Sequence, residues 1–139
     1  MKYAYSYYND TYQAMTYLFI GSKEDLDAWL RAEHGLVGSD IGIRDDENGG
    51  SFVIPHVDRG QQYFMWMDKF TGTNEDIVIL GHECIHTAVM IMYRRGCTII
   101  VDDECEAMIL LKDALERIYL KFIGDDYPSE SNKEKTDAP

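Results

Sequence analysis

At 139 residues the chain has the length of one domain, long enough to bury an apolar core without disulfide or metal staples. Its 13 basic and 25 acidic residues give a formal net charge of -12. That charge repels phosphate backbones and argues against nucleic acid as a partner, while suiting a metal cation or a basic protein.

Tyr3 to Tyr8 and Tyr12 to Ile20 are rich in Tyr, Thr and Phe and predict two strands, with Asn9-Asp10 turning between them. Met1 to Ser6 carry no apolar signal core, and no apolar run approaches the roughly 18 residues of a bilayer span. The chain therefore reads as soluble and cytoplasmic, with no membrane partner. Ser22 and Asp25 have capping-box spacing, and Leu26, Trp29 and Leu30 recur at helical intervals. They predict a helix from about Lys23 to Glu33, ended by Gly35, with His34 suited to the negative end of the dipole. Residues 35–50 read as loop, Asp45 to Gly50 being the clearest turn signal.

Ser51 to Val57 reads as a short strand that Pro55 confines to an edge. Tyr63 to Phe70 reads as another, with Phe64, Trp66 and Phe70 on one side of its alternation. Thr73 and Asp76 open a long helix from about Glu75 to Arg94, with Ile77, Leu80, Cys84, Ala88 and Ile91 as its apolar stripe and Gly96 as its stop. Asp102 suits the N-cap of a second helix reaching about Ile123, on which Met108, Leu111, Leu115 and Tyr119 recur at three- and four-residue spacing. From Gly124 onward the sequence is polar and aperiodic, a disordered tail in expectation. The expected fold is α+β, a single domain over residues 1–124. An N-terminal mixed or antiparallel sheet with helices comes first, then a long helix and a second, antiparallel one. Cys84, Cys97 and Cys105 are odd in number and read as free thiols.

The residues that carry chemistry are His82-Glu83-Cys84-Ile85-His86, an H-E-x-x-H pattern inside the strongest predicted helix. At about 100° per residue the two histidines differ by about 40° and lie about 6 Å apart along the axis, so both imidazoles reach one ion. Glu83 lies about 60° from His86, beside such an ion and placed to take a proton from its water. Cys84 falls nearly opposite the histidines and belongs in the core. The same spacing also serves two histidines that bond to carbonyls on a helix face without any metal. A catalytic zinc needs a third protein ligand and an open position. The longer H-E-x-x-H-x-x-G-x-x-H pattern is ruled out by Val89 and Met92, and no cysteine precedes Cys84. A carboxylate from the next helix remains, and Asp103-Glu104-Cys105-Glu106-Ala107 offers it. The same acids would also favour a helix N-terminus on charge alone.

H-E-x-x-H followed by an E-x-x-A segment on a following helix resembles the gluzincin zinc metallopeptidases. The stretch from about Glu75 to Leu115 is most similar to small metallopeptidases encoded by bacteriophages, through His82, Glu83, Cys84 and His86 and then Asp103, Glu104 and Ala107. The resemblance covers under a third of the chain. It implies a small zincin-like domain holding zinc through His82, His86 and Glu104, with Glu106, Asp102, Asp103 or an upstream residue as other third ligands. Asp103 would alternatively accept the second N–H of a ligating histidine. It implies peptide-bond hydrolysis of a peptide or protein substrate, with Glu83 as general base passing the proton to the leaving amine. Such enzymes add a donor for the oxyanion. Tyr119 is about 22 Å of helix from Glu104, whereas His56, Arg59 and Tyr63 lie upstream on or near strands. They also bind substrate along an edge strand, for which Ser51 to Val57 or Tyr63 to Phe70 is available. A non-catalytic acidic interaction or regulatory module on the same scaffold is the competing expectation.

Overall fold

The computed structural model describes residues 3–36, 49–56, 60–96 and 105–126. In chain order these form β1 (Tyr3–Asn9), β2 (Ala14–Ile20), α1 (Lys23–His34), β3 (Gly49–His56), β4 (Gly60–Met67), α2 (Asn74–Arg94) and α3 (Cys105–Asp126). The class is α+β. The strands form one mixed sheet in the order β1-β2-β4-β3. β1 pairs antiparallel with β2 and β3 antiparallel with β4, and a parallel pairing of β2 with β4 joins the two hairpins.

Local chemistry sets the boundaries. The β1–β2 turn is held where Asn9 Oδ1 accepts from the Tyr12 amide at 2.9 Å, and Gln13 takes a φ of 50° to re-enter the sheet. Ser22 caps α1 by accepting from the Asp25 amide at 3.1 Å. Gly35, in the left-handed region at φ 66°, closes it, and the Leu36 amide bonds back to the Leu30 carbonyl. Thr73 caps α2, and the Asp76 carboxylate accepts from both the amide and the hydroxyl of Thr71 at 2.6 and 2.7 Å.

Strand alternation then divides the core. On one face Leu18, Ile20, Tyr63, Met65 and Met67 pack against Leu80, Cys84, Ala88 and Ile91 of α2 and Leu111, Leu115, Tyr119 and Ile123 of α3. On the other, Phe19, Phe52, Phe64 and Trp66 pack against Leu26 and Leu30 of α1. Each fully buried large side chain contributes roughly 1.5–3 kcal/mol. α2 and α3 run in opposite senses. A Cβ at Gly81 would stand 3.4 Å from the Glu116 carboxylate, and Cys84, further along α2, feels Lys112 as well as Glu116.

Several expectations are refined. The edge strand begins at Gly49, because Gly49 and Gly50 pair with Met67 and Trp66 instead of turning. α3 continues past Gly124 to Asp126, and the expected tail beyond it lies outside the described residues, as do Asp102 and Cys97. His34 is the last residue of α1, but its ring also sits edge-on to Tyr17, Trp29 and Phe64, with centroids 4.8 to 5.0 Å away. α2 has the length and apolarity of a membrane span by composition, at mean hydropathy 1.2, and half of that window is buried inside the fold.

Candidate metal centre

α2 is fixed against the sheet by Leu80, Cys84, Thr87, Ala88 and Ile91, all fully buried. That phase turns His82 and His86 to solvent. Their Nε2 atoms are 3.0 Å apart, with ring centroids at 4.6 Å and planes inclined by 79°. Two nitrogens on one tetrahedral zinc, each at 2.0–2.1 Å, stand about 3.3 Å apart. The pair therefore fits a shared ion after a shift of a few tenths of an ångström. A neutral pair at this separation also satisfies itself, one Nε2–H donating to the other ring's lone pair.

Glu83 lies on the neighbouring line of the helix, 7% exposed, and faces the edge strand. Its Oε2 accepts from the Ser51 hydroxyl, whose oxygen also lies 3.2 Å from the Glu83 backbone carbonyl oxygen. Gly49, two residues earlier on β3, lies near Oε1: a Cβ there would be in ordinary contact with Oε1 at 3.8 Å, and the Trp66 carbonyl oxygen at 2.9 Å is what excludes a side chain. Cys84 is fully buried in the core on the side of α2 away from the exposed histidines, and burial pushes its thiol up to about 12.

Glu104 and Asp103 lie outside the described residues. Among the described residues no group of three or more His, Cys, Asp or Glu side chains is placed to hold one metal ion. Glu106 is exposed in the first turn of α3. Of the oxyanion donors, Tyr63 is withdrawn: at 1% exposure it is part of the core beneath α2. Tyr119 is also enclosed, its hydroxyl 2.6 Å from Thr16 Oγ1. Arg59 and the His56 side chain lie outside the described residues. The second substrate-strand option also falls, because β4 is paired on both sides, whereas β3 is at the edge of the sheet among the described residues.

Ser51 and Gly49 are the residues that sequence reasoning passed over. The available signal was alternation: with Phe52 in the α1 core, Gly49, Ser51 and Val53 share the face toward α2. Compared with known protein families, with curated proteins and with solved structures, the chain matches none.

Proposed function

We propose that the chain is a zinc-dependent hydrolase of zincin-like build, a metallopeptidase whose metal is held by His82, His86 and Glu104 and whose general base is Glu83. The observation that carries the reading is the 3.0 Å approach of two solvent-facing imidazole nitrogens on the helix turn that also bears the buried Glu83. Zinc, when bound, supplies Lewis acidity, polarising a carbonyl and lowering the pKa of a water toward about 7. The chain does the rest. Glu83 takes the proton of the attacking water and returns it to the leaving amine. The edge of β3 that no described strand pairs offers backbone N–H and C=O groups on which an extended peptide pairs as a fifth strand, passing the residue that holds Glu83.

The test is elemental analysis of zinc in the purified full chain, in His86→Ala and in Glu104→Ala, joined to turnover of Glu83→Gln. The wild type holds one zinc and His86→Ala holds none. Glu83→Gln keeps the zinc and loses turnover. Full zinc in His86→Ala refutes the centre. Retention in Glu104→Ala alone moves the third ligand to Glu106 or another acid. A zinc-loaded chain indifferent to Glu83→Gln in every assay is an interaction module, not an enzyme.

A further inference from the structure

We infer that Ser51 is a positioning residue for Glu83: from the edge strand it fixes which carboxylate oxygen faces the reaction. The inference deepens the hydrolase reading and rests on it. A glutamate on an exposed helix face rotates about its terminal torsion, and its two oxygens exchange places. Here the Ser51 hydroxyl holds Oε2 and also reaches the carbonyl oxygen of the same residue at 3.2 Å. The Ser51 proton therefore ties the Glu83 carboxylate to β3. Oε1 is left on the side of Gly49, outside the bond to Ser51.

Ser51 pairs with Met65 on β4, so the ladder of the β3–β4 hairpin determines where this hydroxyl stands. The strand proposed to receive substrate is thus the strand that orients the base. A serine and a glycine two positions apart on one strand face do separate work: the serine fixes one carboxylate oxygen, and the glycine lets the strand lie close to the Trp66 carbonyl. Orientation of this kind, exerted through a supporting hydrogen bond, is typically worth about 10- to 100-fold in activity.

The experiment uses the full chain loaded with one equivalent of zinc and a pool of fluorescence-quenched peptides of mixed sequence. Ser51→Ala is expected to lower kcat about 10- to 100-fold while KM and bound zinc stay within about twofold. Ser51→Thr, which keeps the hydroxyl and favours the strand, is expected to restore kcat to within about threefold of wild type. Should Ser51→Ala not fold, Ser51→Cys keeps the shape, weakens the donor and carries the same expectation. A kcat unchanged by Ser51→Ala, or Ser51→Thr no better than Ser51→Ala, overturns the assignment. So does a loss that tracks bound zinc, which marks a purely structural tether. A wild-type chain that holds zinc and cleaves nothing in the pool instead defeats the hydrolase reading, and this role for Ser51 falls with it.

Discussion

Asp76 sets where the histidine helix begins, and replacing it with Asn tests that with a defined pH signature. Asp76 is 5% exposed and its carboxylate accepts two bonds from Thr71 at 2.6 and 2.7 Å, while its own amide is capped by Thr73 Oγ1 at 3.2 Å. Bonds to a charged acceptor contribute about 1.5–3 kcal/mol each, and neutral ones about 0.5–1.5. A first-turn carboxylate adds about 0.3–1 kcal/mol against the helix dipole. Asn preserves the shape but gives up the charge, so Asp76→Asn is expected to cost about 2 kcal/mol at pH 7. Burial pushes this carboxyl up, but the bonds from Thr71 and Thr73 outweigh it and hold the group below its ordinary 3.8. With the folded value depressed, the contribution is complete above the unfolded value and is lost as pH falls through the folded one. The gap between wild type and Asp76→Asn should therefore narrow in acid, as pH falls through the folded value that lies below 3.8. Urea unfolding followed by the fluorescence of Trp29 and Trp66 at pH 7 and in acid measures it. A gap of the same size at both pH values, or one under about 0.5 kcal/mol at pH 7, refutes the account.

Tyr119 and Thr16 make a second test. The Thr16 proton goes to the Tyr7 carbonyl at 2.9 Å, so Tyr119 is the donor in the 2.6 Å contact between the two hydroxyls. Thr16→Val strands the buried Tyr119 donor and should cost about 1–3 kcal/mol, more than Tyr119→Phe at about 1 kcal/mol, by denaturant titration. The reverse order would show that the proton runs the other way. Gly81→Ala should be neutral or stabilising by up to about 1 kcal/mol, because the added methyl meets only the mobile end of Glu116 at 3.4 Å while helix propensity improves. A lower melting temperature would mean that the Lys112–Glu116 pair is rigid against α2. In a Cys97→Ala, Cys105→Ala background, Cys84 should react with thiol reagents at pH 8 only at the rate of unfolding, given full burial and a thiol pushed up to about 12. Labelling within seconds in the folded state would contradict the core placement.

Much of the frame was legible because local signals and tertiary packing agree. Ser22 with Gly35, and Thr73 with Asp76, are caps whose chemistry acts within a few residues, and they mark α1 and the start of α2 as expected. The stripe Leu80, Cys84, Ala88, Ile91 fixes the helix phase, which is why both histidines point outward. What escaped depends on residues far apart in the chain. Gly49 and Gly50 carry a turn signature, yet pairing with Met67 and Trp66 makes them strand. Tyr63 looks like an accessible donor until the parallel pairing of β4 with β2 places it opposite Thr16, beneath α2. The hydroxyl on Glu83 comes from Ser51, 32 residues away, and no periodicity within either segment announces it.

The parallel seam between β2 and β4 has a kinetic consequence. Each flanking ribbon closes over a short connection, four residues between Asn9 and Ala14 and three between His56 and Gly60, whereas the seam first brings together Met15 and Gln62. Closure over so long a stretch is entropically dearer and slower, so the two ribbons should zip early and dock late. Amide protons of β1 and β3 would then gain protection from exchange before the protons shared by β2 and β4, and α2, which packs on β3 and β4, would be seated before α3 closes on β1. Refolding with pulsed hydrogen exchange would read that order directly.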